Sequence, residues 1–240
     1  MSREEILLRN LQALQVALAA ACARRRRNPA EVTLLAVTKY AADRDVLALL
    51  EMGLLSDVGE SRVQQALARW KENPAFAKFN TVKKHFIGHL QKNKAAKAAV
   101  LFDYIDSLDD EETARVLSAH IPAGKVMRVL VQVKLTDRES QSGLPLPQAR
   151  ALANQLRGRF ENIDVCGYMA VAPQGAAETE LRRLFGAVKA AFDEDFKGVP
   201  QAHLSLGMSE DFTVAVEEGS TLPRIGSLLF SKNLEGTHDY

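Results

Sequence analysis

The chain has 240 residues, of which 47% are apolar and 25% are charged, the composition of a globular protein with a full core. Its 31 basic and 30 acidic residues leave a net charge of +1, which excludes the strong charge bias of nucleic-acid-binding proteins and acidic tails. One α/β barrel needs about this length, and two smaller domains would also fit it.

The predicted elements begin with a helix at the N-terminus. Ser2-Arg3-Glu4-Glu5 is a capping box, and helical periodicity follows it to about Arg27. The basic run 24–27 suits the negative end of that helix, although a weak contact with a polyanion is an alternative. The acidic start lacks the pattern of a signal peptide, and no stretch reaches the ~18 uncharged residues of a membrane span.

After this helix, short apolar runs alternate with helical patterns. Strands are predicted near 32–38, 56–59, 84–88, 102–106, 127–134, 163–171, 202–206 and 222–226. Helices are predicted near 43–53, 61–72, 90–99, 110–120, 147–158, 176–196 and 209–218. Three helix starts have a chemical signal: a second capping box at 61–64, a cap at Asp109 and Pro147 in a first turn.

This alternation predicts an α/β fold, a single (β/α)8 barrel of the TIM type with an extra N-terminal helix. A doubly wound open sheet is the competing architecture. Because no linker divides the chain, we expect one domain over residues 1–240, with the helix at about 3–27 and the barrel at about 31–231.

Lys39 follows the first predicted strand, at the end where parallel α/β folds keep their chemistry. Low-dielectric surroundings there would make its amine a candidate nucleophile. The alternative is a lysine that extends to water from a strand end.

The loops after the last two predicted strands form a candidate phosphate site. Gly226 allows a close backbone approach, and Ser209 and Ser227 supply hydroxyls beside backbone N–H groups. Ser209 as a helix cap and Gly226 as a turn residue are the alternatives. Arg224, near the end of the eighth strand, could donate to the same ligand or form a rim ion pair.

Other polar residues carry weaker signals. His85 and His89 are four apart, but they fall on a strand and a turn, so no metal site is predicted. The basic helix at 92–97 is predicted to be a solvated face. Cys22 and Cys166 are far apart, which argues against zinc or a disulfide and fits the cytoplasm.

A lysine, a phosphate site and an arginine on one barrel face indicate pyridoxal 5′-phosphate (PLP). Six ordered motifs extend this to a resemblance over about residues 34–230. The chain resembles the YggS/PROSC-type PLP homeostasis proteins in residues 35–39, 59–64, 85–94, 139–143, 204–209 and 219–226.

The resemblance implies a barrel like the N-terminal domain of alanine racemase. It implies that Lys39 forms a Schiff base with PLP, that Ser209, Gly226 and Ser227 bind its phosphate, and that Arg224 faces the pyridine nitrogen. The family is associated with PLP homeostasis, as a carrier or buffer without robust catalysis. The protein partners this suggests are apo PLP-dependent enzymes, and a monomer is expected because no apolar surface stripe is visible.

A PLP-dependent amino-acid racemase is the alternative. Racemisation needs a second base, which related racemases take from a second domain that this chain has no room for. Tyr40 adjoins Lys39, but strand alternation predicts that its ring points away. A third hypothesis is an interaction module that binds a protein partner through the helix at 92–97.

Four residues depart from the family pattern. Ser61 and Lys134 stand where asparagine is common, Tyr168 replaces a usual leucine, and Ser231 replaces a usual glycine. The first two could alter polar contacts around the cofactor, and the last could alter the short helix behind the phosphate.

Overall fold

The computed structural model describes residues 1–136 and 141–232, and within them eight parallel strands form one sheet. Strands β1 to β7 each pair with their sequence neighbours, and β8 pairs with β1, in the order β7-β6-β5-β4-β3-β2-β1-β8. The strands are β1 (Leu35–Val37), β2 (Asp57–Glu60), β3 (Lys83–Phe86), β4 (Tyr104–Leu108), β5 (Met127–Val133), β6 (Ile163–Ala170), β7 (His203–Ser205) and β8 (Arg224–Ile225). This order confirms the barrel and excludes the doubly wound sheet.

The seam between β7 and β8 closes without a regular ladder. Thr221 N donates to Leu204 O at 2.9 Å, and Arg224 N donates to Gly207 O at 3.0 Å. The Ser205 hydroxyl adds a bond of 3.0 Å to Leu222 O. These hydrogen bonds satisfy backbone groups that the short edge strands β7 and β8 would otherwise leave without partners.

Nine α-helices occur in the described ranges. They are α1 (Arg3–Arg24), α2 (Asp43–Glu51), α3 (Val63–Leu67), α4 (Lys92–Leu101), α5 (Glu111–Ser118), α6 (Leu146–Leu156), α7 (Glu178–Asp195), α8 (Phe212–Glu217) and α9 (Ser227–Phe230). A π-helical turn, Ala68–Glu72, continues α3. All predicted helices are present, and the short helix after β8 is the α9 of this list.

The helix starts match the sequence signals only in part. The Ser2 box is present, with both reciprocal hydrogen bonds to Glu5, and Pro147 lies in the first turn of α6. The second capping box is wrong: α3 begins at Val63, and its cap position makes no side-chain bond. The carbonyl of Ser61 lies only 2.3 Å from where a side chain on Gly88 would begin, so packing against the end of β3 delays the helix.

The cap of α5 is also one residue away from the prediction. Asp110, rather than Asp109, accepts the Thr113 N–H at 2.8 Å. Asp109 lies 3.9 Å from His89 instead, across the loop that follows β3. The chain therefore uses the second of two adjacent aspartates as the cap.

The core has two layers on either side of the strands. A small inner cluster fills the barrel and contains Leu35, Tyr104, Leu130, Cys166, Met169 and Leu222. The larger cluster lies between the barrel and the helices, and includes Ala36 and Val58. Because side chains alternate along a strand, Leu35 and Val37 share the inner side while Ala36 and Thr38 share the outer one.

Helix α1 packs on the outside of the barrel against α2, α8 and α9. Among the helices described here, it alone has the length and apolar composition to cross a membrane. Seven of its residues are buried in the fold, which is also typical of a core helix. The basic run after it is bound within the molecule: Arg24 pairs with Glu217 at 2.5 Å and Arg25 with Glu218 at 2.9 Å.

Candidate functional site

The carboxyl ends of β1 and β8 lie side by side and bring the predicted site residues together. The parallel register pairs Leu35 with Arg224 and Ala36 with Ile225. Gly226 follows directly and packs against Val37: a Cβ added to it would lie 3.1 Å from the Val37 carbonyl oxygen. Lys39 lies two residues beyond the end of β1, so it is at the same barrel edge as Gly226.

Lys39 lies in a tight turn that follows β1. Ala41 N donates to Thr38 O at 2.9 Å and closes the turn around Lys39 and Tyr40. Lys39 is half-buried, and its Nζ lies 5.1 Å from the centre of the Tyr40 ring. The prediction that the Tyr40 ring points away is therefore wrong, because the strand ends at Val37 and its alternation does not extend to the turn.

The two predicted phosphate-binding serines meet at the barrel edge. Ser227 Oγ donates to Ser209 Oγ at 2.8 Å, although the residues are 18 positions apart. Ser209 is not the cap of α8, which begins at Phe212. Ser227 is exposed and begins α9 directly after Gly226.

Arg224 is buried, with 4% of its surface exposed. Nη1 donates to the carbonyl and the hydroxyl of Ser205, both at 2.8 Å, and Nη2 donates to Ala170 O at 2.9 Å. Burial lowers the pKa of Arg224 to about 10, although attraction by Asp106 and Asp211 opposes this effect. The guanidinium remains charged at neutral pH, and neutral oxygens hold it in one orientation.

The turn that carries Lys39 is held by Arg69, which sequence reasoning missed. Arg69 donates to the carbonyls of Thr38 and Ala41 and to the carboxylates of Asp43 and Glu60. A cleft of about 300 Å³ adjoins them, lined by Lys39, Asp43, Glu60, Gln65, Ala68 and Arg69. An α-helical periodicity does not predict where the Arg69 side chain points, because Arg69 lies in a π-helical turn.

A second feature that was missed is a charged cluster inside the barrel, formed by Asp57, His85 and Asp106. His85 is fully buried, with Nδ1 3.0 Å from Asp106 and Nε2 3.2 Å from Asp57. The Tyr104 ring stacks on it at 4.0 Å. Burial lowers the pKa of His85, but the charge and hydrogen bonds of the two aspartates outweigh burial and raise it to about 9. His85 is therefore a structural cation, and the described residues contain no group of three side chains placed to hold a metal.

The departures from the family pattern lie at different places. Tyr168 faces the helices, where its hydroxyl donates to Asp195 at 2.7 Å, so it does not line the site. The Ser231 carbonyl ends α9 and accepts from Arg3 and Asn10. The motif at 139–143 lies partly outside the described residues. Its Gln141 donates to Val171 O at 2.7 Å.

Together, the fold and this edge define a class of protein: a parallel (β/α)8 barrel that presents a lysine, two serines and a buried arginine at one rim. No family model matches the chain. It is similar to the pyridoxal phosphate homeostasis protein of Synechocystis, with 34% identity over 86% of this chain and 94% of the relative. The protein of that name in Escherichia coli K12 is 31% identical over 96% of each chain. The chain therefore belongs to the pyridoxal phosphate homeostasis protein family.

Solved structures show the same relationship. PipY of Synechococcus elongatus, solved with PLP bound, has 30% identity and a TM-score of 0.75 over 90% of this chain and 100% of its own. Alanine racemase from Corynebacterium glutamicum has a TM-score of 0.69 at 13% identity, over 98% of this chain and 63% of its own. The second likeness concerns the fold alone and confirms the predicted alanine-racemase-like barrel.

Proposed function

We propose that this protein binds PLP through Lys39 and holds it as part of intracellular PLP homeostasis. One observation carries the proposal: the register of β1 with β8 brings Lys39, Gly226 and Ser227 to one edge, above the buried Arg224. The relative PipY, which binds PLP in its crystal structure, supports it.

The residues present fit the chemistry of this cofactor. Ser209 and Ser227 offer hydroxyls to a phosphate, and Gly226 has no side chain that would fill the space beside Val37. Arg224 presents a fixed cation that suits an unprotonated ring nitrogen. When bound, PLP supplies an aldehyde that can form a Schiff base with an amine and a ring that can accept electrons.

Lys39 supplies the amine for attachment. The aldehyde of bound PLP would supply the carbon for a reversible Schiff base with this amine. Ser209 and Ser227 would hold the phosphate through hydrogen bonds, so release would depend on both the covalent and the non-covalent contacts.

We infer that holding, rather than turnover, is the main activity. A cationic Arg224 at the ring nitrogen disfavours a second positive charge there, which makes the ring a poorer electron acceptor. No observation favours the racemase alternative. Delivery to apo PLP-dependent enzymes, a monomeric state and a cytoplasmic location are parts of the same proposal.

Transfer to an apo-enzyme tests the proposal. Protein loaded with PLP is mixed with an apo-aminotransferase, and recovery of the aminotransferase activity is followed with and without a trap for free PLP. We expect recovery, and no exchange of amino-acid α-protons with solvent deuterium by the loaded protein alone. Rapid exchange that Lys39→Ala abolishes would instead support the racemase.

A further inference from the structure

The turn from Thr38 to Ala41 is held from outside the strand by one side chain. Arg69 Nη1 donates to Thr38 O at 2.8 Å, and Nη2 donates to Ala41 O at 2.7 Å. The two carbonyls lie on either side of Lys39 and Tyr40. A guanidinium can make these bonds together because its donors form a rigid planar fork.

Arg69 is itself fixed by two carboxylates. Glu60 accepts from Nη1 at 2.7 Å, and Asp43 accepts from Nε at 2.8 Å. Glu60 is 1% exposed, and the Thr38 hydroxyl and the Trp70 indole also donate to it, at 2.7 and 3.3 Å. A buried carboxylate with these partners holds its cation more firmly than an exposed one would.

The local backbone is unusual at this point. Arg69 lies in the π-helical turn Ala68–Glu72, directly after the short helix α3. π-Helical turns are rare in proteins, and those that occur are often found at functional sites. Its side chain is only 13% exposed and lines the same cleft as Lys39.

The amine of a lysine is at the end of a flexible four-carbon side chain. The backbone at Lys39 sets where that side chain starts and in which direction it leaves. A small displacement of a reacting group lowers the rate of a reaction between bound partners strongly. We propose that Arg69 is a positioning residue, which holds the Thr38–Ala41 turn so that the Lys39 amine meets the carbonyl group of a bound ligand. This inference rests on the proposed function.

Two ligands separate positioning from binding. PLP carries an aldehyde that Lys39 can attack, whereas pyridoxine 5′-phosphate has an alcohol there and cannot condense. The rate and extent of Schiff-base formation with PLP are measured by absorbance, and the Kd of pyridoxine 5′-phosphate is measured by calorimetry. In Arg69→Met we expect Schiff-base formation to fall by ~10- to 100-fold, the cost of a misplaced reacting group. The Kd of pyridoxine 5′-phosphate should stay within about threefold, since the serines and Arg224 remain in place.

Two further variants keep the experiment decisive. Arg69→Met leaves Glu60 buried without its cation, so the double variant Arg69→Met/Glu60→Gln removes that charge and should show the same separation in a folded protein. Arg69→Lys keeps one positive charge and should recover part of the rate. Arg150→Met is the matched control, because Arg150 pairs with Glu194 and Asp195 on α7 and touches none of these residues.

The outcomes are distinct. The inference would be overturned if the folded double variant formed the Schiff base at the wild-type rate. It would also be overturned if Schiff-base formation with PLP and affinity for pyridoxine 5′-phosphate fell by the same factor. A wild-type protein that forms no Schiff base at all would instead contradict the proposed function.

Discussion

Ser209 lies in the turn before α8 and Ser227 begins α9, yet their hydroxyl oxygens lie 2.8 Å apart. In this structure one hydroxyl donates to the other, and a phosphate between or beside them would accept from both. A hydrogen bond to a charged group contributes roughly 1.5–3 kcal/mol, which is about a tenfold or larger effect on affinity. The phosphate contacts should therefore be separable from the Schiff base by the choice of ligand.

Ser227→Ala should weaken binding of PLP by about tenfold and leave the binding of pyridoxal, which has no phosphate, nearly unchanged. Titration followed by absorbance measures both. Ser118→Ala is the control, since the Ser118 hydroxyl at the end of α5 donates to Asn162, just before β6, at 2.7 Å. An equal loss for the two ligands would show that Ser227 does not contact the phosphate.

Gly226→Ala tests the close packing of β8 against β1. The added methyl would lie 3.1 Å from the Val37 oxygen and 3.2 Å from its Cβ, tighter than ordinary contact. Overpacking of this kind costs about 1–3 kcal/mol, and the shift it causes at the phosphate site should weaken PLP binding. Gly186→Ala is the contrast: its nearest neighbour lies at 3.8 Å, and alanine in α7 should stabilise the protein. Unfolding in urea and PLP titration compare the two.

At the scale of elements, helix α1 holds the end of α9. Asn10 is fully buried, and its amide donates to Leu229 O and Ser231 O, both at 3.1 Å. Arg3 adds a bond of 3.1 Å to Ser231 O. Because α9 begins at Ser227, these contacts fix the far end of the helix that carries a proposed phosphate ligand.

Asn10→Ala should lower the free energy of unfolding by roughly 1–3 kcal/mol, because it removes the side-chain donor to Leu229 O and one of the two donors to Ser231 O. It should also weaken PLP more than pyridoxal, since α9 would lose its fixed position. Gln12→Ala on the exposed side of α1 is the control. Unchanged stability in Asn10→Ala, measured in urea, would contradict this role for α1.

The elements were largely predictable from the sequence, and their details were not. Apolar runs such as 127–134 and 163–171 predict buried strands, and β5 and β6 lie within them. The π-helical turn that contains Arg69 is too short to show a periodicity of its own, and it directly continues α3. The cap of α5 depends on which of two adjacent aspartates faces the helix, and only tertiary packing decides that.

For the whole molecule, the charged cluster around His85 makes the free energy of unfolding depend on pH. His85 is faced by Asp57 from β2 and by Asp106 and the Tyr104 ring from β4. His203 on β7 is also close: burial and the charge of His85 lower the pKa of His203 to about 4. The pKa of His85 is about 9 in the folded protein and 6.5 in an unfolded chain. The folded state therefore binds the proton more tightly. This stabilisation is fully present below about pH 6.5 and is lost as the pH rises through about 9.

His85→Gln should therefore be less stable than wild type by a few kcal/mol near pH 6, since one pKa unit is worth about 1.4 kcal/mol. The difference should shrink as the pH rises from about 6.5 to about 9. Urea unfolding at several pH values measures it. His120→Gln, at an exposed histidine, is the control for the loss of a histidine side chain.

The candidate site was predictable where its residues follow strands directly. Lys39, Arg224, Gly226 and Ser227 come after β1 or lie in or after β8, and the barrel topology alone brings them to one edge. The partners of Arg69 and His85 could not be predicted, because those contacts join groups on different elements and depend on how the elements pack.

Reduction with borohydride tests the central claim most directly. The protein is incubated with PLP, reduced, digested and mapped by mass spectrometry, with Lys78→Ala as a control at a surface lysine that pairs with Glu51. We predict that the label falls on Lys39 in wild type and in Lys78→Ala, and is lost in Lys39→Ala. Label on another lysine in the wild-type protein, or none at all, would contradict the account.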